Sequence, residues 1–355
     1  MDPFPVHRNP ASRMGSIDFN NLRFGCYFSD HVFQMTYSNK AWHTPEIVPY
    51  GPLNLEPSNL TLHYGQAIFE GLKAYRHAND VISIFRPDRY MDRMVNSCRR
   101  LCIPDPPKDI VLEGLKQVVE LDKEFVPHEH GHSLYLRPFV FATDNALGVQ
   151  ESKTYKLMII TSPVAAYYPE GIKPVKLDVP PEYIRAAAGG TGTAKTPANY
   201  AASLLPAKKA REAGYTQVLW LDAQEHRYIE EVGTMNIFFV IGDEVITPPL
   251  TSGTILGGIT RMTVLELLRE WNYKVSERRL TIDDVLAAQA AGELKEVFGT
   301  GTAAVISPVG EIHYKNETLT INNFSIGPIG QRLYDEIDGI QYGLREDRHG
   351  WNLLL

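Results

Sequence analysis

The order of apolar and polar positions predicts two helices and two long strands in the first half of the chain. Helical spacing runs through RPDRYMDRMVNSCRRL, with Pro87 in the first turn where its missing N–H group costs nothing. The same spacing recurs from about Asp109 to Phe125. The runs SLYLRPFVFA, from Ser133, and YKLMIITSPV, from Tyr155, are rich in β-branched and aromatic residues, which is typical of strands.

The region before the first long helix is predicted to contain a hairpin. GQAIFEGLKAYR, residues 65–76, has the pattern of a short helix that runs into a strand. His77–Asp80 has the composition of a turn, and Val81–Phe85 is the returning strand. The first thirty or so residues are rich in proline and asparagine, so we expect a loosely held arm there.

The second half of the chain alternates strands, turns and helices without an internal repeat. A strand precedes the glycine-rich loop AAAGGTGTAKTPANY, and a helix follows through ASLLPAKKAREAG. QVLWLD and RYIEEV predict strands, and NIFFVIGDEVITPP predicts a hairpin around Gly242-Asp243. GGITRMTVLELLREW predicts a helix that begins at paired glycines. ELKEVFGTGTAAVISPVGEI predicts strand, turn and strand, and GPIGQRLYDEIDGIQYG predicts a last helix.

The length of 355 residues exceeds the size at which one hydrophobic core stops growing, so we expect two domains. AAYYPEGIKP has the composition of a linker. The prediction is an α+β protein with a small N-terminal domain over residues 1–164, which includes the arm of residues 1–30. A linker over residues 165–175 and a larger domain over residues 176–355 follow.

Charge and composition exclude several classes of partner. The net charge of −7 argues against nucleic acid, which requires a basic surface. No apolar run approaches the ~20 residues that span a bilayer, and the start of the sequence lacks the apolar core of a signal peptide. Cys98 and Cys102 lie one helical turn apart and are expected to be buried free thiols rather than a redox or metal pair. These observations predict a cytoplasmic protein.

Three motif-like segments lack the structural context that their chemistry requires. Residues 128–132 (HEHGH) spell the zinc motif HExxH, but Gly131 interrupts the segment and a strand follows at once, so we expect a loop and no metal. Residues 299–304 (GTGTAA) spell a dinucleotide pattern but precede a strand instead of opening a helix. Residues 190–196 miss the phosphate-loop pattern because Ala194 stands where glycine is needed.

Lys195 lies among small residues in the glycine-rich loop. A lysine in such a loop can reach into a cleft and form a Schiff base if its surroundings lower its pKa. A solvated loop lysine explains this stretch equally well, so the stretch alone leaves both interpretations open.

Eight segments, in chain order and at matching spacings, resemble the branched-chain aminotransferases. These segments are LHYGQAIFEGLKAY, IFRPDRYMDRM, SLYLRP, LGV, AKTPANYAAS, IEEVGTMNIFFV, PPLTSGTILGGITR and EVFGTGTAAVISPV. The resemblance covers the chain from about Asn20 to Gly343. It implies a two-domain fold-type-IV pyridoxal-phosphate enzyme, similar to D-amino-acid aminotransferase, whose larger domain has a β-barrel-like core. It also implies a homodimer that transfers the amino group of leucine, isoleucine or valine to 2-oxoglutarate by a ping-pong mechanism.

The resemblance assigns cofactor roles to individual residues. Lys195 is implied as the Schiff-base lysine that also moves the proton, Tyr200 as the partner of the phenolic oxygen and Arg93 as the phosphate ligand. Glu231 is implied to keep the pyridine nitrogen protonated, so that the ring withdraws electrons. Glu230 is expected to face the other side of the strand. The other implied cofactor contacts are Thr234, Leu256, Gly258, Ile259, Thr260, Gly301 and Thr302.

Substrate contacts follow from the same resemblance. The implied aromatic walls of the aliphatic pocket are Phe69, Tyr135 and Tyr167. Arg137 is implied to bind the distal carboxylate of glutamate, and the amides of Thr302 and Ala303 the α-carboxylate. The residues implied to come from the neighbouring subunit are Tyr64, Leu147 and Val149.

The sequence departs from the family pattern at one motif, and several alternative functions remain open. Ala304 and Ser307 stand where some animal members carry a CxxC redox switch, so no such thiol regulation is expected. The rivals within the fold are D-amino-acid aminotransferase, aminodeoxychorismate lyase and R-selective amine transaminase; a rival of another class is a cofactor-binding protein without turnover. Arg137 together with Phe69 and Tyr64 favours the branched-chain type.

Overall fold

The computed structural model describes residues 4–166 and 172–355, and their contacts form two compact units. Unit 1 comprises the described residues within 1–167 together with residues 194–197 and 339–355. Unit 2 comprises the described residues within 168–193 and residues 198–338. The sequence did not predict that residues 194–197 and the C-terminal segment belong to unit 1.

Unit 1 is built on an antiparallel sheet of nine strands. The strands are β1 His31–Ser38, β2 Ala41–Trp42, β3 Glu46–Pro49, β4 Ala67–Phe69, β5 Leu72–Arg76, β6 Ile82–Phe85, β7 Ser133–Ala142, β8 Tyr155–Val164 and β18 Asn352–Leu354. Their order is β18-β6-β5-β7-β8-β1-β2, with β3 paired to β1 and β4 paired to β7. The two predicted long strands, β7 and β8, pair over their whole length.

Three α-helices complete the described part of unit 1 before the linker. They are α1 Leu60–Tyr64, α2 Pro87–Arg100 and α3 Lys108–Leu121, and a 3₁₀ turn, Lys123–Phe125, follows α3. Helix α2 has Pro87 in its first turn, as predicted, and buries Tyr90, Met94 and Ser97 along one face. The segment 65–76 was assigned partly wrongly: Gly65 ends α1 in the left-handed conformation, so residues 67–69 already form β4.

The N-terminal arm is held more firmly than its composition suggested. Val6 pairs with Ile47 beside β3, and the amide of Asn9 donates to His31 Nε2 (2.9 Å). The amide of Arg13 donates to the carboxylate of Asp30 (2.6 Å). These bonds tie the arm to Ile47, His31 and Asp30 of the same unit.

Unit 2 is built on a second nine-stranded sheet of mixed direction. Its strands are β9 Val175–Asp178, β10 Gln217–Leu221, β11 Ile229–Val232, β12 Asn236–Ile241, β13 Glu244–Thr247, β14 Lys274–Glu277, β15 Leu294–Gly301, β16 Val305–Tyr314 and β17 Glu317–Thr320. The order is β11-β10-β9-β16-β15-β12-β13-β14, with β17 paired to β16. Strand β9 lies parallel to β10 and β16, and β13 parallel to β14.

The described part of the second half contains four α-helices, and three of them begin close to the predicted positions. They are α4 Pro197–Glu212, α5 Ile259–Glu270, α6 Ile282–Ala290 and α7 Pro328–Gln341. The sequence did not predict α6, although Thr281 and Asp284 form a capping box at its start. The core of unit 2 contains fully buried side chains such as Ile237 and Phe239 of β12 and Ile312 of β16.

The motif-like segments have the local structure that the sequence predicted. Residues 128–132 form a turn before β7, in which the amide of His132 donates to Glu129 O (3.0 Å). Residues 299–304 form the end of β15 and the turn into β16. Across residues 4–166 and 172–355, no helix combines the length and apolar character needed to cross a membrane.

Candidate functional site

Lys195 lies against strand β4 within unit 1. The amide of Phe69 donates to Lys195 O (3.0 Å), and Thr196 Oγ1 donates to Ala67 O (2.8 Å). Since β4 uses its alternate main-chain groups to pair with β7, residues 195 and 196 occupy its other edge. The amide of Lys195 donates in turn to Ser97 Oγ on helix α2 (3.0 Å). The lysine main chain is therefore fixed on two sides, while Nζ lies 4.9 Å from the centroid of the Phe69 ring.

Arg93 lies on α2 one helical turn before Ser97 and pairs with Glu70. Arg93 Nε donates to Glu70 Oε1 (2.8 Å) and Nη2 donates to Oε2 (2.7 Å), a bidentate ion pair. The Glu70 side chain is fully buried, and that of Arg93 is 11% exposed. The carboxylate of Glu70 therefore occupies the edge of the guanidinium that is formed by Nε and Nη2.

Tyr135 and Arg137 project from the same face of β7 and pack with Phe69. The guanidinium carbon of Arg137 lies 4.7 Å from the Phe69 ring centroid and 5.2 Å from that of Tyr135. Arg137 Nη2 donates to the Tyr135 hydroxyl (3.1 Å). Arg137 Nε is buried and has no hydrogen-bond partner among the described residues. An unsatisfied guanidinium N–H between aromatic rings is suited to an anionic group of a ligand.

Two further residues shape this aromatic cluster. A Cβ atom at Gly71 would lie 1.8 Å from the Tyr135 hydroxyl, so the ring keeps its position only because residue 71 is glycine. Phe24, from the N-terminal arm, packs edge-to-face on Tyr135 with 4.9 Å between ring centroids. Sequence reasoning missed Phe24 because the arm contains no periodic pattern. Tyr167, the third expected aromatic wall, lies outside the described residues.

The residues expected to serve a neighbouring subunit lie together at the surface of unit 1. The Tyr64 hydroxyl donates to Leu147 O, and these two residues are 44% and 69% exposed. Val149 is 84% exposed, and Leu62 beside them is 61% exposed. Exposed apolar residues clustered in this way are typical of a protein–protein contact.

Glu231 is the centre of a buried polar cluster in unit 2. Its Oε1 accepts hydrogen bonds from the Leu256 amide (2.8 Å) and from Asn236 Nδ2 (3.4 Å). Its Oε2 lies 3.0 Å from Arg185 Nε, and both side chains are almost fully buried. Arg185 also donates to Thr254 O. Sequence reasoning assigned no role to Arg185 or Asn236, since neither belongs to a pattern that indicates a charge partner.

Glu230 is buried as well, with a different set of partners. Thr254 Oγ1 donates to its Oε1 (2.5 Å), and its Oε2 has no hydrogen-bond partner among the described residues. Burial raises the pKa of Glu230 above the ordinary value, an effect that the bond from Thr254 opposes. A raised pKa means that burial of Glu230 costs little below the pKa of an unfolded glutamate, about 4.3. The cost grows as the pH rises from there toward the folded pKa.

The start of helix α5 offers an anion site next to this cluster. Gly258 is the N-cap, and the first turn, Ile259-Thr260-Arg261, contains no acidic side chain. A Cβ atom at Gly258 would lie 2.0 Å from Asn236 Oδ1, so the close approach requires glycine. Because Asn236 also donates to Leu256 O (2.9 Å), one side chain links Glu231, Leu256 and the helix start. The positive end of the helix dipole favours a negatively charged group here.

The turn between β15 and β16 is held in a strained conformation. Gly301 pairs with Val305, so Thr302 and Ala303 lie in the turn itself. Val305 has a φ of 60°, which is rare for a β-branched residue and marks a backbone that its surroundings constrain. A Cβ atom at Gly301 would lie 3.0 Å from Met235 Cγ, so the turn packs closely on the β11–β12 turn.

The remaining expected cofactor residues lie at the ends of two elements of unit 2. Thr234 is exposed in the turn that joins β11 to β12. Tyr200 lies in the first turn of α4, after Asn199, whose Nδ2 donates to Thr191 O (2.9 Å). Asn199 thereby ties the start of α4 to the glycine-rich loop.

Two comparisons with known proteins each cover more than half of the chain. The family model of amino-transferase class IV matches residues 67–312. The chain is 54% identical to the branched-chain-amino-acid aminotransferase 2 of Bacillus subtilis (strain 168), and the match covers 94% of this chain and 92% of that protein.

Solved structures agree with this result. The branched-chain amino acid aminotransferase of Escherichia coli superposes with a TM-score of 0.74 at 27% identity, over 91% of this chain and 98% of that one. A second branched-chain amino acid aminotransferase, from T.th., was solved in complex with N-(5'-phosphopyridoxyl)-L-glutamate. It superposes with a TM-score of 0.71 at 28% identity, over 90% of this chain and 97% of that one.

Proposed function

The chain belongs to the class IV aminotransferases, and from this premise we propose that it is a branched-chain amino acid aminotransferase that uses pyridoxal phosphate. Its substrates are L-leucine, L-isoleucine or L-valine as amino donor and 2-oxoglutarate as acceptor. The observation that carries the proposal is the 54% identity to a branched-chain enzyme over 94% of the chain. Arg137, with its buried unsatisfied Nε in an aromatic cluster, supports an acidic second substrate.

The residues present fit the chemistry of pyridoxal phosphate. A primary amine (Lys195), a largely buried guanidinium (Arg93) and a helix start without acidic side chains (Gly258) match an aldehyde and a phosphate. The glycine at position 258 allows the close approach of the Asn236 side chain, which a Cβ atom would prevent. When bound, the cofactor supplies a carbonyl group that accepts the amino group and a ring that withdraws electrons from the substrate Cα.

Individual residues of the chain have different roles toward the cofactor. Lys195 anchors the cofactor and its Nζ moves the proton at the substrate Cα. Glu231 holds a proton on the pyridine nitrogen, and Tyr200 binds the phenolic oxygen. Arg93 and the amides of Ile259 and Thr260 bind the phosphate. The other proposed cofactor contacts are Thr234, Leu256, Gly301 and Thr302.

The network around Glu231 supports its proposed role. An ionised carboxylate is needed to keep a pyridine nitrogen protonated, and the Leu256 amide and Asn236 bind Oε1 of that carboxylate in its charged form. Arg185 compensates the buried charge from the other side.

Two kinds of substrate side chain use the same aromatic cluster. Phe69, Tyr135 and Phe24 bind an aliphatic side chain and exclude water from it. Arg137 binds the distal carboxylate of glutamate, and the amides of the turn at Thr302 and Ala303 bind the α-carboxylate.

Assembly as a homodimer and a cytoplasmic location belong to the same proposal. The exposed group of Tyr64, Leu147 and Val149 supports a contact with a second copy of the chain. The three cysteines are free, which fits a reducing compartment.

The test is an assay of product formation. L-Leucine and 2-oxoglutarate, supplied with pyridoxal phosphate, are expected to give L-glutamate, and Lys195→Ala is expected to abolish the reaction. Activity with D-alanine but not L-leucine would transfer the assignment to the D-amino-acid enzymes of this fold. Release of pyruvate from aminodeoxychorismate would indicate the lyase.

A further inference from the structure

Residues 194–197 are separated in sequence from the rest of unit 1, yet they belong to it. The short segment is held by three hydrogen bonds: Lys195 N–H to Ser97 Oγ, Phe69 N–H to Lys195 O and Thr196 Oγ1 to Ala67 O. Ser97 and Thr196 are fully buried. The hydroxyl side chains that make two of these bonds are therefore held in place by packing.

We propose that Ser97 and Thr196 are positioning residues that set the place of the Lys195 main chain relative to Arg93 before the cofactor binds. The inference rests on the proposed function, in which Lys195 anchors the cofactor and Arg93 binds its phosphate.

Helix α2 provides the rigid link between the two anchors. Arg93 and Ser97 are four residues apart on α2, so they lie on one face of the helix, about 5–6 Å apart at Cβ. The hydroxyl of Ser97 receives the Lys195 amide, and Arg93 carries the guanidinium. The distance between lysine and guanidinium is thus set by one turn of helix rather than by a loop.

The segment Phe69-Glu70 links Lys195 to Arg93 by a second route, which does not pass through Ser97. The amide of Phe69 binds Lys195 O, while the carboxylate of the next residue, Glu70, binds Arg93 through two hydrogen bonds of 2.8 and 2.7 Å. The contacts form a closed ring from Lys195 through Ser97, Arg93, Glu70 and Phe69 back to Lys195. All of its members belong to unit 1.

This closed ring of contacts is expected to affect the binding of a ligand that attaches through two groups at once. When two groups of a ligand bind at fixed positions, the second contact forms at a high effective concentration, and this advantage falls when the positions vary. Pyridoxal phosphate has both attachment groups, whereas pyridoxal has only the aldehyde. The ratio of the two dissociation constants therefore reports how well the lysine and the guanidinium are placed.

The experiment titrates the cofactor-free protein with pyridoxal phosphate and with pyridoxal, and follows the visible absorption of the lysine-bound form. Ser97→Ala removes the acceptor of the Lys195 amide, and we expect it to reduce the preference for pyridoxal phosphate about tenfold. Ser97→Thr keeps a hydroxyl and is expected to restore the preference. The matched control is Ser83→Ala, which removes an equally buried, hydrogen-bonded hydroxyl from β6. The control is expected to lower the melting temperature without changing the ratio.

If Ser97 has a purely structural role, Ser97→Ala would weaken the binding of both ligands by the same factor. That result would overturn the inference. If Ser97→Ala does not fold, Thr196→Val tests the inference in the same assay. This variant removes the hydrogen bond to Ala67 O while keeping the shape of the side chain. An unchanged ratio in Thr196→Val would then overturn the inference. If the unmodified protein binds neither ligand through Lys195, the proposed function itself fails.

Discussion

Replacement of Arg137 by methionine is expected to affect the reactions with L-glutamate and with L-leucine differently. Methionine retains an unbranched apolar side chain between the rings of Phe69 and Tyr135 but removes the guanidinium. The variant is expected to lose the reaction with L-glutamate and to keep the reaction with L-leucine. The reason is that the distal carboxylate of glutamate pairs with Arg137, whereas the leucine side chain makes no hydrogen bond.

The magnitude follows from the environment of the guanidinium. Arg137 Nε is buried without a partner in the described part of the chain, and Nη2 already donates to Tyr135. A hydrogen bond to a charged group contributes ~1.5–3 kcal/mol, and Arg137→Met removes the donors of that bond. We therefore expect a loss of ~2–3 kcal/mol with glutamate, or roughly 30- to 150-fold in kcat/KM.

The assay follows each half-reaction alone, through the loss of visible absorption when the holoenzyme is mixed with one amino acid. With L-leucine the rate constant of Arg137→Met is expected to stay within about threefold of the unmodified enzyme. Equal losses with both amino acids would show that Arg137 acts only through the fold. An unchanged rate with glutamate would show that its carboxylate binds elsewhere. Tyr135→Phe, which removes only the hydroxyl that Arg137 contacts, serves as a milder variant.

Three further predictions concern other parts of the molecule. Gly71→Ala is expected to displace the Tyr135 ring, because its Cβ atom would lie 1.8 Å from the hydroxyl, and to reduce kcat/KM for L-leucine at least ~10-fold in steady-state assays without loss of fold. Leu147→Asp is expected to give monomers by light scattering, whereas Leu344→Asp, at an equally exposed leucine of the same unit, leaves the dimer intact; dimers in both variants would contradict the proposed contact. Glu230→Gln is expected to raise the melting temperature relative to the unmodified protein by an amount that grows as the pH rises above about 4.3, the ordinary pKa of glutamate, because the raised pKa of Glu230 makes its burial more costly as the pH rises. A difference in melting temperature that does not change with pH would contradict this prediction.

The sequence predicted most of the regular structure where periodicity or turn chemistry is strong. The hairpin at Gly242-Asp243, the proline at the start of α2 and the strand pair β7–β8 follow from local rules. The resemblance of eight segments predicted the family, which the comparisons confirm. The short strand β4 was missed because a strand of three residues is too short for a periodic signal.

The partners of the candidate site residues could not be predicted in the same way. The pair Glu70–Arg93 and the bond from Lys195 to Ser97 join positions that are 23 and 98 residues apart, and no local pattern encodes such contacts. The strain at Val305 also depends on the packing around its turn rather than on its own sequence. Phe24 shows the same limit, since only the course of the arm brings it to Tyr135.

The most direct test of the proposed function is the absorption spectrum of the protein with added pyridoxal phosphate, recorded before and after the addition of L-leucine. We expect a visible band that depends on Lys195, that disappears with L-leucine and that D-alanine leaves unchanged. A protein that shows no such band would contradict the account, because Lys195 would then not anchor a cofactor. A band that responds only to D-alanine would keep the cofactor but contradict the assignment to branched-chain substrates.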